Sequence, residues 1–275
     1  MFMPASSSAT LPPKQPTLFI PHGGGPCFFM DWPRTWDHMA TFLRGLCATL
    51  PQKPDAIVVV SGHWEERVTT ITSGTAPELI YDYYGFPPHT YALQYPAPGS
   101  PALAQRICGL LADAGLASAE DPQRGFDHGV FIPLMLAFAQ ADIPVVELSL
   151  QNTLDPALHL AIGAALAPLR ADNVLIVGTG MSYHNLGHFM NGSPVTDQPA
   201  KAFDTWLSAT ISAPAPERNL RLTQWAQAPG ARLCHPREEH LLPLMVAAGA
   251  AGHDHGQQIY SDTVLGKTLS GYRFG

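Results

Sequence analysis

The sequence predicts an α/β fold, with a central, mostly parallel mixed sheet and helices on both of its faces. Short apolar runs bounded by Gly and Pro are typical of strands buried in a parallel sheet. Three such runs each lead into a histidine: residues 17–20 before His22, 56–60 before His63, and 174–177 before His184. Helix-like segments alternate with the apolar runs, as expected when helices cover both faces of a sheet.

The other elements follow in chain order. We predict helices over residues 36–50, 101–115, 129–140, 154–170, 200–211, 219–227 and 238–251, and further strands over 145–150 and 263–273. Residues 79–98 are irregular and rich in aromatic side chains. Without an internal repeat or a long linker, residues 16–275 are predicted to form one domain. Residues 1–15, rich in Ser, Ala and Pro and lacking the apolar run of a signal peptide, are predicted to be a disordered lead-in.

Composition narrows the classes of partner. A net charge of −7 over 275 residues argues against nucleic acid and anionic membranes as partners. No run reaches the roughly 18 apolar residues of a membrane span. Charged residues make up only 13% of the chain, below the usual quarter. The surface is therefore either rich in Ala, Gly, Pro, Ser and Gln or partly covered in a homo-oligomer, and both alternatives stay open.

Cysteine usage bears on the compartment. The chain has four cysteines, Cys27, Cys47, Cys108 and Cys234, and no CxxC pair. Scattered cysteines of this kind favour a reduced, cytoplasmic protein in which each thiol is a small buried hydrophobe.

The histidines that follow the strands predict a shared site. Ligands of open α/β sheets bind beyond the carboxyl ends of the strands. Taken singly, each histidine is more often a hydrogen-bonded structural residue. Because the same pattern recurs at His22, His63 and His184, we expect these side chains to converge, and convergent imidazoles most often bind a metal. Glu65 is a candidate to orient a ligand histidine.

Two further segments place histidines at predicted helix starts. Asp127 is a plausible N-cap, and the helix dipole would keep His128 neutral and able to bind a substrate. A capping turn with an idle histidine explains that segment equally well. In residues 235–240, HPREEH, the glutamates are misplaced for an HExxH zinc helix. They suit either a polar first turn or a set in which His240 or a nearby carboxylate completes the metal site.

Several motifs together resemble a known family. They are PHGGGP, SGHWEE, IYDYYGFP followed by YALQYPAPGSP, FDHGVFIPL, GTGMSYHNL, HPREEHLLPL and GKTLSGYRFG, in this order from about residue 16 to the C-terminus. This set resembles the LigB-like class III extradiol dioxygenases, and within them the 4,5-DOPA dioxygenase extradiol branch. The first motif departs from the usual His-Gly-Ser/Gly-Pro by an extra Gly, followed by Cys27.

The resemblance implies roles for particular residues. His22, His63 and His240 would bind the metal, and His184 would be a ligand or the acid/base. The longer loop before His184 favours acid/base as its main role. His128 would lie near substrate and dioxygen. Because other members of the superfamily use two histidines and a glutamate, Glu239 remains an alternative third ligand, as does His235.

The function implied is that of a non-haem Fe(II) enzyme that opens the ring of a DOPA-like or other 3,4-dihydroxyphenyl compound with O2. Zinc is expected to compete with iron for the site in purified protein. An aromatic wall for the substrate is predicted from the loop residues Tyr81, Tyr84, Phe86 and Tyr91. Two alternatives are a zinc-dependent hydrolase that uses the same three histidines and a non-catalytic metal-binding relative.

Overall fold

A computed structural model describes residues 14–32, 34–191 and 197–275. Eight strands form one sheet in the order β4-β3-β5-β2-β6-β1-β8-β7. The strands are β1 Thr17–Pro21, β2 Ala56–Glu66, β3 Thr69–Thr72, β4 Ser118–Asp121, β5 Val145–Gln151, β6 Val174–Gly180, β7 Gly256–Val264 and β8 Lys267–Phe274. The four central strands, β5-β2-β6-β1, pair in parallel, and antiparallel pairs join β3 to β5, β8 to β1 and β7 to β8.

Helices cover both faces of this sheet. They are α1 Asp37–Gly45, α2 Pro101–Asp113, α3 His128–Ala137, α4 Pro156–Leu166, α5 Leu186–Asn191, α6 Asp197–Ile211, α7 Ala215–Thr223, α8 Ala231–Cys234 and α9 Leu242–Ala251. On one side α4 packs against α9, and α9 against β1 and β6; on the other α1 packs against α3, and α3 against β2. Every residue of β1, β5 and β6 is buried, as expected for strands covered on both faces. The predicted α/β class is confirmed.

Two boundaries that matter for the site differ from the prediction. Strand β2 does not end at Val60 but continues to Glu66, with a register shift against β5 between Val60 and Glu65. His63 is therefore held by a strand and not by a loop. Helix α9 begins at Leu242, four residues later than predicted, so His240 lies in the turn before it.

The predicted last strand, residues 263–273, corresponds mainly to β8, but β8 starts at Lys267 and the strand before it, β7, was not predicted. Residues 256–274 form a hairpin of β7 and β8, closed by Leu265 and Gly266, whose φ angles are +49° and +79°. Two consecutive positive φ angles are the requirement of a type I′ hairpin turn, and Gly is favoured there. The short strands β3 and β4 and the helices α5 and α8 were not predicted; each has no more than six residues, too few to show a hydrophobic period.

Most of the predicted N-terminal lead-in, residues 1–13, lies outside the described residues. Its last two residues are ordered. Gln15 is fully buried and its backbone N–H donates to the Arg170 carbonyl at 2.9 Å. Lys14 forms an ion pair with Asp254 at 2.8 Å. The folded part of the chain thus begins before residue 16. Within the described ranges, no helix combines the length and the apolar character needed to cross a membrane.

Candidate metal centre and substrate pocket

Three histidines meet at the carboxyl edge of the sheet. His22 directly follows β1, His63 lies in β2, and His240 lies just before α9. The Nε2 atom of His63 is 3.3 Å from that of His22 and 3.2 Å from that of His240. One nitrogen from each of the three residues lies within 4.8 Å of the others. The sheet explains this convergence, because β1 and β2 both pair in parallel with β6 and so end on the same side.

Close backbone packing brings His240 to the same place. The Met181 N–H, just beyond β6, donates to the His240 carbonyl at 3.0 Å. Gly180 makes this approach possible, because a Cβ there would collide with the His240 carbonyl oxygen. Gly62 is similar, since its Cβ would lie 3.0 Å from the Glu239 carbonyl oxygen. Both glycines are therefore needed for the distance between strand and turn.

The other ring nitrogen of each histidine faces an acceptor. Nδ1 of His22 lies 2.9 Å from the Gly23 carbonyl, and Nδ1 of His240 lies 3.0 Å from Oε1 of Glu239. Nδ1 of His63 is 3.5 Å from Oδ2 of Asp82. Carbonyls and carboxylates accept hydrogen bonds, so they place the proton on Nδ1 and leave a lone pair on Nε2. Three Nε2 lone pairs then face one another, an arrangement that a metal cation satisfies.

Electrostatics keep these imidazoles neutral. Burial, followed by the nearby His63, His128 and His184, lowers the pKa of His22 well below its usual value. Burial and then His128 lower the pKa of His63 to about 4. The pKa of His240 is lowered well below its usual value by burial and then by His184. Neutral imidazole is the form that binds metals, so the donor set fits a divalent metal near neutral pH.

His128 stands beside the three histidines on the first turn of α3. Its ring centroid is 4.0 Å from that of His63 and 5.4 Å from that of His22. Oδ1 of Asp82 accepts hydrogen bonds from the His128 backbone N–H at 2.9 Å and from its Nδ1 at 2.8 Å. Burial raises the pKa of Asp82, but the hydrogen bond and charge of His128 and the charge of His63 outweigh it and lower that pKa overall.

His184 lies on the opposite side of the cluster. Its ring stacks on that of His240 with centroids 3.3 Å apart, and its Nδ1 lies 3.2 Å from Oε1 of Glu239. Its backbone N–H donates to the Cys234 carbonyl at 2.9 Å. The structure therefore places all five predicted histidines in one cluster, with His128 and His184 flanking the three whose Nε2 atoms converge.

The alternative ligands occupy other positions. The Glu239 carboxylate lies on the Nδ1 side of both His240 and His184, away from the converging Nε2 atoms. His235 is fully buried, its Nε2 lies 3.0 Å from the Ser182 carbonyl, and its ring packs against Phe203. Burial lowers the pKa of His235 to about 4. Neither side chain is directed at the convergence point.

Glu65 was predicted to orient a ligand histidine, but it contacts Arg237 instead. It forms a two-pronged ion pair with Arg237, one contact of which is 2.6 Å long. Arg237 also lies 3.5 Å from Glu239. Glu65 therefore connects β2 to the turn that carries His240, through Arg237, and its effect on the histidines is indirect.

The histidine cluster forms one wall of a pocket of about 390 Å³. The pocket is lined by His22, Gly23, Gly24, Gly25, Trp32, Trp36, His63, Asp82, Tyr83, Phe86, His128, Met181, His184, Leu186, Phe189, His240 and Leu265. Of the four aromatic residues predicted as a substrate wall, only Phe86 is among them. The Tyr81 and Tyr91 hydroxyls donate to the carbonyls of Leu93 and Tyr83 at 2.6 and 3.2 Å, and Tyr84 is 86% exposed. These three tyrosines brace or cover the loop instead.

Sequence reasoning missed Asp82 and most of the aromatic wall. Asp82 is a single carboxylate within the aromatic run IYDYYGFP, and a lone charge in such a run is a signal that could have marked it. Trp32, Trp36 and Phe189 come from segments before α1 and after β6. Nothing local in the sequence shows that those segments meet.

Comparisons with known proteins find relatives of this chain. The family model "Catalytic LigB subunit of aromatic ring-opening dioxygenase" matches residues 31–273. The dioxygenase tasH of Hapsidospora irregularis is 37% identical over 94% of this chain and 85% of the relative. The 4,5-DOPA dioxygenase extradiol of Beta vulgaris is 40% identical over 81% of this chain and 84% of the relative. The crystal structure of an uncharacterized Escherichia coli K12 protein has a TM-score of 0.74 at 30% identity, covering 95% of this chain and all 100% of that one.

Proposed function

The chain belongs to the LigB family of aromatic ring-opening dioxygenases, and from this premise we propose how its residues serve the reaction. It is an extradiol dioxygenase that opens the ring of a catechol with O2. We propose that the metal is Fe(II), held by His22, His63 and His240, and that the substrate is a 3,4-dihydroxyphenyl compound. The comparisons favour this activity over the zinc-hydrolase and non-catalytic alternatives.

One observation carries the metal assignment. Three Nε2 atoms converge, while each Nδ1 faces its own acceptor. Fe(II) bound by three protein ligands would offer open positions to a catechol and to O2 and would pass electrons from one to the other. Zinc binds the same nitrogens tightly, so its presence in purified protein would not contradict the iron assignment.

The flanking histidines handle protons and orient the substrate. His184 lines the pocket beside the cluster, where it would accept a proton from a catechol hydroxyl and later return it to the ring-opened product. His128 is held through Nδ1 by Asp82, so its Nε2 is left to contact a bound oxygen atom. Tyr83 and Phe86 supply aromatic surface for the ring.

The test is anaerobic reconstitution of the metal-free protein with Fe(II), followed by oxygen-electrode measurements with catechols. We expect oxygen uptake and a yellow ring-opened semialdehyde with iron and neither with zinc. His22→Ala, His63→Ala and His240→Ala should each lose most of the bound iron while staying folded. His38→Ala, whose side chain is 62% exposed, is the matched control and should keep it.

Three results would contradict the proposal. Retention of stoichiometric iron by His22→Ala or His63→Ala would remove that residue from the ligand set. Loss of iron from Glu239→Ala together with its retention by His240→Ala would make the carboxylate the third ligand. Hydrolysis of an ester or amide by the zinc-loaded protein, without oxygen uptake, would favour the hydrolase.

A further inference from the structure

The pocket has no cationic side chain. All 15 lysine and arginine residues of the chain fall within the described ranges, because residues 1–13, 33 and 192–196 include neither type. None of the 15 is among the residues that line the pocket. A substrate carboxylate bound here would therefore lack the charged partner that proteins ordinarily provide for such a group.

Among the basic residues near the site in sequence, Lys267, two residues after Leu265, is ion-paired with Asp197, and three arginines are paired elsewhere or exposed. Arg237, three residues before His240, is ion-paired with Glu65. Arg124 lies 3.3 Å from Asp127 and stacks over the Trp64 ring at 4.8 Å. Arg34 is exposed and does not line the pocket. None of the three can pair with a carboxylate in the pocket without losing its present environment or moving inward.

Apart from the histidines and Asp82, the pocket is lined by glycine, apolar and aromatic residues. Phe86, Phe189 and Trp36 line it, and three further apolar side chains are both pocket-lining and solvent-exposed. These are Trp32 at 43%, Leu186 at 61% and Leu265 at 52%. A cluster of exposed apolar side chains at one site is typical of a binding surface. Burying an apolar substituent there is favourable, because it removes apolar surface from water.

The charged group that does line this pocket is an acid. Asp82 faces it, with its carboxylate shared between His128 and His63. A second carboxylate, brought in by a substrate, would be desolvated near a like charge and an apolar wall, which is unfavourable.

We propose that this site selects catechols whose ring substituent is uncharged and apolar over catechols that carry a carboxylate, DOPA included. This inference rests on the proposed function, because it names the substrate class of the same pocket. The histidine cluster binds the two hydroxyls, while Phe86, Phe189, Trp32, Leu186 and Leu265 cover the substituent. The relatives named as DOPA dioxygenases share the reaction, and this chain differs in the substituent it accepts.

The test compares 3-(3,4-dihydroxyphenyl)propionate with its methyl ester, in which esterification removes the charge and adds one methyl group, and includes DOPA and 4-butylcatechol as further members. Calorimetric titration of the zinc-loaded protein measures affinity without turnover, and oxygen uptake by the iron-loaded protein measures kcat/KM. We expect the ester and 4-butylcatechol to exceed both carboxylates by at least about tenfold, which corresponds to about 1.4 kcal/mol. Equal or better binding of DOPA or the free acid would overturn the proposal.

The exposed lining residues Trp32, Leu186 and Leu265 form the mouth of the pocket. A positive charge introduced there should reverse the preference for the ester over the acid. Leu186→Arg should raise the acid-to-ester ratio of affinities by about tenfold or more, since it supplies the missing cation. Leu186→Gln controls for polarity, and Leu220→Arg, on a leucine that is 58% exposed in α7, controls for net charge. A ratio in Leu186→Arg no different from that in Leu220→Arg would show that the apolar mouth does not contact the substituent. If the iron-loaded protein takes up no oxygen with any catechol, the proposed reaction is wrong. If the zinc-loaded protein still binds the ester more tightly than the acid, the proposed selectivity holds independently of the reaction.

Discussion

Two carboxylates connect four of the five histidines in pairs. Asp82 lies against Nδ1 of His63 and of His128, and Glu239 lies against Nδ1 of His240 and of His184. Each carboxylate thus connects one candidate metal ligand to one histidine that faces the pocket. A shared acceptor fixes the tautomer and orientation of both rings together, so the position of each pocket histidine depends on the ligand beside it.

The substitution His184→Gln tests the separation between metal binding and proton transfer. His184 stands beside His240 and lines the pocket, but its nitrogens are outside the set of three converging Nε2 atoms. We expect the variant to keep most of its iron and to lose turnover by roughly 10²–10⁴-fold, the usual contribution of a general acid/base. Iron content and oxygen-uptake rate are measured on the same preparation.

His253→Gln, a change at an exposed histidine outside the pocket, is its control. Loss of iron in step with activity would make His184 a ligand, and near-normal turnover would return it to a structural role.

A buried acid behind the site leads to a prediction about pH. Glu147 in β5 is fully buried, and among the described residues neither of its carboxylate oxygens accepts a hydrogen bond from a donor group, whereas a protonated Glu147 can donate to the adjacent Asp127 carboxylate. Burial and then Asp127 raise the pKa of Glu147 well above its usual value. The folded protein therefore keeps a proton there that the unfolded chain has released above about pH 4.5, so this group lowers stability as pH rises toward its folded-state pKa, by at most about 1.4 kcal/mol per pH unit.

Glu147→Gln should remove that slope. Urea unfolding between pH 5 and pH 8 should show the variant gaining stability relative to the parent protein as pH rises. A constant difference across this range would contradict a neutral Glu147. The neighbouring Thr72→Val, which removes the hydroxyl that accepts from the Glu147 backbone N–H at 2.8 Å, should lower stability without a comparable pH dependence.

At the scale of elements, a strand and a turn meet through glycine. Gly180 ends β6 where the turn carrying His240 packs against it, and a Cβ at that position would collide with the His240 carbonyl. Gly180→Ala should push the turn outward and weaken metal binding by at least about tenfold, with loss of stability. Metal titration and thermal unfolding would measure the two effects.

The matched control is Gly109→Ala in α2, where a Cβ would meet no atom within 4 Å. That substitution should leave metal affinity unchanged and stabilise the protein by about 0.5–1 kcal/mol through helix propensity. Normal metal affinity in Gly180→Ala would show that the turn can shift without disturbing His240.

The elements that were predicted well are those with long apolar signals. Strands β1, β5 and β6 are buried along their whole length, and their start residues match the predicted ones. The extension of β2 past Gly62 was not predicted, because Gly and polar residues ordinarily indicate a strand end. The polar half of β2 is stabilised by its pairing with β5 and by Arg237 from a distant turn, which are contacts that a local reading of sequence cannot show.

At the scale of the molecule, the sheet topology brings together residues that are far apart in the sequence. His22 and His63 are 41 residues apart, and His63 and His240 are 177 residues apart. The parallel order β2-β6-β1 brings the first two together, and the rule about strand ends was enough to anticipate their meeting. From the residues alone, His240 was one of several candidates for completing the metal site, and the family resemblance singled it out, because a histidine before a helix has no sheet rule to place it. The apolar pocket mouth could not be predicted from the sequence, because Trp32, Leu186 and Leu265 come from three separate segments.

This wide spacing along the chain predicts that metal binding stabilises the whole fold. A metal that contacts β1, β2 and the turn before α9 binds the native state and has no such site in the unfolded chain. At a free metal concentration of 100 times Kd, metal binding raises the free energy of unfolding by about 2.7 kcal/mol. For a domain of about 150–250 residues this corresponds to an increase in Tm of roughly 5–10 °C. Calorimetric scans of the protein with zinc, and after chelation, measure the shift.

The shift should vanish in His63→Ala and persist in His184→Gln, because only the former removes one of the three converging nitrogens. A His63→Ala protein that is still stabilised by metal to the same extent would mean that the stabilising metal binds at another place. Because the three candidate ligands come from elements on both sides of β6 and from the turn before α9, a bound metal is expected to stabilise these elements together, while the metal-free protein stays folded.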